Sequence, residues 1–148
     1  MSRRVEPVRK SIRDTYADLM SGYREAVLAG PESALKYVTR TLDGQGSLPN
    51  AVKFFAYDLV AEASARMESW ERCAAAVVVG LGYLSAAEAD LPAELRERMP
   101  TMALWDRGIL ARMELGDFPG ALELCDDAIA RGLGSHFEAK RDSLEWAR

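Results

Sequence analysis

The chain is poor in the residues from which reactive centres are built. Its 148 residues include one histidine, His136, and two cysteines, Cys73 and Cys125. Nucleophile–base pairs most often use imidazole, and zinc sites need Cys and His at close spacing. One histidine and no CxxC pair exclude the common forms of both. No catalytic residue, cofactor or metal is therefore expected. Ser135 and Glu138 flank His136 at capping-box spacing, so the lone imidazole reads as a helix-start or surface residue. The cysteines fall at matching places in two expected helices and read as buried free thiols rather than a disulfide framework. No GxxxxGK[ST] phosphate loop is present. Gly80-Leu81-Gly82 lies inside a helical run and lacks a third glycine. Those glycines are expected to let a neighbouring helix come close.

Positive charge is also scarce. The formal net charge is -4, which gives no basic footprint for general nucleic-acid binding. The one basic cluster spans Ser2 to Arg13, where Arg3, Arg4, Arg9, Lys10 and Arg13 oppose Glu6. It reads either as the solvated start of a helix or as a short arm for an anionic partner. Long apolar runs are missing too. The longest, Cys73 to Leu84, falls short of the roughly 20 residues that span a bilayer. The basic start at Met1–Lys10 leads into no apolar segment of the secretory type. A soluble, cytoplasmic protein without a membrane span is the expectation.

What the chain does contain is helical periodicity. Val8, Ile12, Tyr16, Leu19, Tyr23 and Val27 recur at steps of three and four and predict a helix from Pro7 to Ala29. Gly30-Pro31 ends it and opens a second helix reaching about Leu42. Asp43 to Pro49 is a loop by composition. Asn50 is the expected cap of a third helix that runs to about Met67. A fourth, from Trp70 to about Leu84, is apolar all round and is expected to be the enclosed one. Ser85 to Pro100 reads as an irregular connection holding one short helix over Pro92–Arg98. Two further helices follow, about Thr101–Leu115 and Phe118–Arg131, joined by the turn Gly116-Asp117-Phe118. Gly132-Leu133-Gly134 stops the second, and a last, mostly charged helix runs from His136 to about Ala147.

The segment Trp105–Gly132 carries a recognisable pattern. A Trp stands early in the first helix, Gly-Asp-aromatic at the turn, and Ala121 and Ala128 seven residues apart on the second helix. Seven residues are about two turns, so the alanines form a flat strip on which another helix can lie. In this the segment resembles a tetratricopeptide repeat. Upstream, Ala34 and Cys73 match Ala121, Thr41 and Gly80 match Ala128, Gly22 and Ala61 fill the small slot on the first helices, and Tyr57 matches Trp105. Equivalent residues are separated by 39 and 48 positions, against a family period of about 34. The third hairpin also inverts the family's apolar–small pair to Gly108-Ile109 and has Arg112 where an apolar residue is usual.

The resemblance implies an all-α fold: a short α-solenoid of about three helix-turn-helix hairpins with a C-terminal capping helix, forming one domain over residues 1–148. The hairpins would span about 7–43, 50–84 and 101–132, with the irregular connection over 85–100 and the capping helix over 135–147. It also implies a non-enzymatic protein–protein interaction module. Such an adaptor, or small subunit of a larger assembly, would bind a partner helix or peptide on its concave face. By register that face would present Tyr16, Tyr23, Phe55, Asp58, Glu62, Arg66, Asp106, Arg107, Leu110 and Met113. The family's best-known groove clamps a C-terminal carboxylate with Lys, Asn and Arg. Asp58 and Glu62 stand in that register here and would repel such a ligand. A partner with apolar anchors and basic residues fits better. Two other readings remain open: a dedicated chaperone for a secretion-apparatus or other assembly subunit, and a helical ligand-binding or enzymatic domain with its site between hairpins. Trp146 on the last helix leaves a homodimer open as well.

Overall fold

The computed structural model describes residues 11–44 and 48–146, and among these the regular structure is all helical, without a strand. The basic residues Arg3, Arg4, Arg9 and Lys10, the expected helix start at Pro7, the loop residues Gln45–Ser47 and the end beyond Trp146 lie outside the described residues. The elements are α1 (Ile12–Val27), α2 (Pro31–Gly44), α3 (Asn50–Arg66), α4 (Trp70–Asp90), the single turn α5 (Ala93–Arg96), a 3-10 turn (Met99–Thr101), α6 (Leu104–Glu114), α7 (Phe118–Ala130) and α8 (His136–Trp146).

Local chemistry sets most of these limits. Ser11 is extended (φ -62°, ψ 157°) and its hydroxyl accepts from the Asp14 N–H at 3.1 Å, which starts α1 at Ile12. Gly30, at φ 114°, takes a turn that a side chain would strain, and Pro31 opens α2. Between α6 and α7, Gly116 sits at φ 77° and the Asp117 carboxylate accepts from the Gly120 N–H at 3.0 Å. The expected cap at Asn50 is not found: Pro49 occupies the cap position and Asn50 is already helical. Pro49 lacks an N–H and so loses nothing by standing there.

Consecutive helices pack as pairs, α1 with α2, α3 with α4 and α6 with α7, and α8 closes on α7. The pairs are joined by contacts of α3 with α1 and α2, and of α6 with α3 and α4. The small residues expected at the seams are buried: Ala34, Ala61, Cys73, Ala121, Cys125 and Ala128 are wholly inaccessible. Gly80 leaves room for the Tyr57 Cβ and for Leu104. Gly108 accommodates Val77 and Leu124. Gly82, by contrast, has open space beside it, so only one of the two α4 glycines permits a close approach.

Three expectations about the middle of the chain are corrected. First, α4 does not stop at Leu84 but continues to Asp90, converting the front of the expected irregular connection into helix. Ser85-Ala86-Ala87-Glu88-Ala89 contains no helix breaker, and Ala87 is fully buried. With this extension α4 is the one described helix long and apolar enough, by length and composition alone, to cross a membrane. Second, the enclosed helix is α3. Phe54, Phe55, Leu59, Val60 and five of its alanines are buried, and it touches α1, α2, α4 and α6. α4 instead leaves Val78 and Val79 about half exposed. An apolar circumference does not say which neighbours arrive to cover it. The sixth helix also starts later than expected, at Leu104, because Met102 is extended (φ -70°, ψ 145°) after the 3-10 turn.

Trp105 locks the last two pairs together. Its ring is buried, lies edge-on to Phe54 at 6.2 Å between centroids, and donates its indole N–H to Asp127 Oδ2 at 2.8 Å. The same oxygen accepts from Arg131 Nε at 2.9 Å, and Arg131 reaches Glu88 on the extended end of α4 at 3.0 Å.

Candidate partner-binding face

Phe55, Asp58, Glu62 and Arg66 follow one another at steps of three and four on α3, so a helix places them along one side. α1 lies against that side. Its Tyr16 ring meets Phe55 edge-to-face at 4.9 Å, and Tyr23, two turns further on, comes beside Glu62, Arg66 and Asp58. The third wall is the chain entering α6. Arg98, Thr101, Met102 and Ala103 complete a cleft of about 230 Å³ with Tyr16, Phe55, Asp58 and Glu62. A broader concavity of about 590 Å³ shares Tyr16, Arg98 and Thr101 with it and is also lined by Arg13, Glu94 and Glu97.

The electrostatics of the cleft centre on Asp58. The residue is only 8% exposed, and Oδ1 has no hydrogen-bond partner. Burial pushes its carboxyl up to about 7, and the neighbouring Glu62 pushes the same way. The main-chain N–H groups of Leu104 and Ala103, and the Arg107 charge, act in the opposite direction without offsetting it. Tyr23 is buried as well, with Glu62 beside its hydroxyl. Burial holds this phenol well above the ordinary tyrosine value, Glu62 and Asp58 add to the effect, and Arg66 opposes it. Glu62 is engaged by Arg66 at 3.1 Å. The Arg98 guanidinium stands over the Tyr16 ring, 5.8 Å from its centroid.

The residues expected on the face thus divide in two. Tyr16, Tyr23, Phe55, Asp58, Glu62 and Arg66 come together, although Tyr23 and Phe55 belong mainly to the core. Those of α6 separate. Asp106 turns to α8, where Lys140 Nζ lies at 2.8 Å and His136 Nε2 at 3.2 Å from Oδ1. Arg107 accepts the Cys73 thiol at its carbonyl oxygen, 3.6 Å away, while its charge acts on Asp58. Leu110 is half-buried and Met113 is exposed further along the helix. Arg98, Thr101, Met102 and Ala103 were not expected at the face. They lie in an irregular stretch, where no periodicity assigns a side.

Other candidate chemistry is thin. Cys73 and Cys125 are free and buried, and burial raises both thiols, Cys73 to about 11. Glu123 and Asp127 share a side of α7, but Asp127 is committed to Trp105 and Arg131. Among the described residues no group of three or more His, Cys, Asp or Glu is arranged to hold a metal ion. A groove of about 550 Å³ between α2 and the α3–α4 pair is lined by Leu35, Val60 and Met67 with Glu32, Lys36 and Arg72, and none of these has a buried polar atom left unpaired. Comparison of the chain with protein-family models, characterised proteins and solved structures gives no match.

Proposed function

We propose that this chain is a non-enzymatic protein–protein interaction module, an adaptor or small subunit of a larger assembly, built as a tetratricopeptide-like stack. The observation that carries the proposal is the succession of α1, α3 and α6, each packed on the next, with the polar cleft opening beside them. In a stack of hairpins the first helices line one face and the second helices the other. α2, α4 and α7 are those second helices, and α8 covers the end of the last pair. The partner is a helix or extended peptide with apolar anchors and basic residues, because the cleft combines aromatic edges with the carboxylates of Asp58 and Glu62. Asp106, held by α8, lies outside this contact surface. The working compartment in this reading is the cytoplasm.

The test is affinity purification of the full chain from its native cell, followed by mass spectrometry, run in parallel with two variants. Glu62→Arg reverses the charge of the face. Leu28→Ser alters an 88% exposed residue at the α1–α2 turn. A stoichiometric partner retained by Leu28→Ser and lost by Glu62→Arg supports the reading. Recovery of the chain alone, or of proteins indifferent to both changes, refutes it.

A further inference from the structure

The cleft holds a group that helix packing accounts for only in part: the main-chain N–H groups of Leu104 and Ala103 at the start of α6 favour the Asp58 charge, yet one carboxylate oxygen has no partner. Asp58 is more than nine-tenths buried with Oδ1 unpartnered, on a helix whose neighbouring positions are Ala, Tyr, Leu and Val. A buried carboxylate left without a full set of partners is unfavourable, and native folds rarely retain one unless something completes it. The surroundings narrow what completes it. Tyr16 and Phe55 supply aromatic walls, and Glu62 stands one turn beyond. Aromatic rings and carboxylates together suit an organic cation. An anion meets two acids, and a neutral apolar group leaves Asp58 as unpaired as before. The volume, about 230 Å³, is below the usual range for a drug-sized ligand and is on the scale of a single side chain.

We propose that this cleft receives one basic side chain, lysine or arginine, from a protein partner, with Asp58 as its counter-ion and Tyr16 and Phe55 as its walls. The proposal rests on the reading of the chain as an interaction module. The charged and titratable groups around Asp58 are Glu62 on α3, Tyr23 on α1, Arg107 on α6 and Arg98 in the connection, with Arg66 beside Tyr23. Arg66 is tied to Glu62. Arg98, over Tyr16 at the cleft, is the internal competitor that an incoming cation must move aside. Occupation is coupled to ionisation, since only the charged carboxylate pairs with the cation. Asp58 titrates at about 7, so the binding-competent fraction rises about tenfold from pH 6 to pH 8.5.

The proposal is tested on the full, isotope-labelled chain by NMR. It is titrated with N-acetyl-lysine methylamide and N-acetyl-arginine methylamide, with N-acetyl-norleucine methylamide as the uncharged control. Support is a shift of Tyr16, Phe55, Asp58 and Ala103 resonances by either cationic probe and not by the control. Affinity should tighten about tenfold from pH 6 to pH 8.5 and fall in Asp58→Asn. Arg98→Ala, at an exposed position, should tighten binding about two- to fivefold by removing a like charge. Equal response to the norleucine probe, no response to either cation, or an affinity indifferent to pH and to Arg98→Ala overturns it. Should Asp58→Asn alter the fold, the pH and Arg98 arms still decide. Failure here leaves the partner-capture test above standing, because that test does not depend on which side chain enters the cleft.

Discussion

Replacing Asp58 with asparagine removes a charge that the fold holds at a disadvantage. In the folded chain this carboxyl titrates at about 7, against 3.8 when unperturbed. The folded state therefore binds the proton more tightly than the unfolded state. Between the two values the native protein keeps a proton that the unfolded chain releases, so stability falls as pH rises from about 4 to about 7 and then levels. Worked through the two titrations, the loss attributable to Asp58 between pH 5 and pH 8 is about 2 to 3 kcal/mol. Asparagine has nearly the same shape as the protonated acid and does not titrate. The stability of Asp58→Asn relative to the parent should therefore improve by that amount between pH 5 and pH 8. Urea denaturation at each pH, followed by circular dichroism, measures the difference, and groups common to both proteins cancel. A wild-type-minus-variant difference that stays constant across this range would falsify the assignment of Asp58 as a buried, raised carboxyl.

Three further perturbations address the packing. Gly108→Ala would drive a methyl into Val77 and Leu124, at 2.9 and 3.0 Å in the undisturbed structure. Overpacking of about 1–3 kcal/mol should exceed the gain of about 1 kcal/mol in helix propensity, and a higher melting temperature would contradict the close α4–α6–α7 approach. Asp127→Ala leaves the buried Trp105 indole without its acceptor and Arg131 with Glu88 alone, and should cost about 1–3 kcal/mol. Asp127→Asn should recover part of it, and equal losses in the two variants would argue against the hydrogen bond. Cys73, raised to about 11 and wholly buried, should react with a disulfide reagent at pH 8 only as fast as the protein opens. Labelling at the rate of a free peptide thiol would be inconsistent with its position.

The parts of this structure that were readable from the chain are those governed by neighbours in sequence. The Gly116–Asp117 turn and the burial of Ala121 and Ala128 follow from spacing within one hairpin. The joint placement of Phe55, Asp58, Glu62 and Arg66 follows from helical repeat alone. What escaped depends on partners far along the chain. Asp106 shares its helix with Arg107 and Leu110, yet its environment is set by His136 and Lys140, about thirty residues away. Arg98 and Ala103 join the cleft from a stretch where extended and 3-10 backbone alternate, so no period assigns them a side. α3 and α4 are both apolar around most of their circumference, and only the number of helices meeting each one decides which is enclosed.

That enclosure of α3 has a consequence for how the molecule comes apart. A helix that touches four others cannot open without releasing its surroundings, whereas α8 rests chiefly on α7. Amide protons in the middle of α3 should therefore exchange with solvent only when the whole chain unfolds, while those of α8 exchange through fraying from the end. The protein then behaves less as a row of separable units than as a hub with detachable margins. Trimming the last helix should lower its resistance to unfolding by degrees. A cavity cut beneath Phe54 should bring down every element at once.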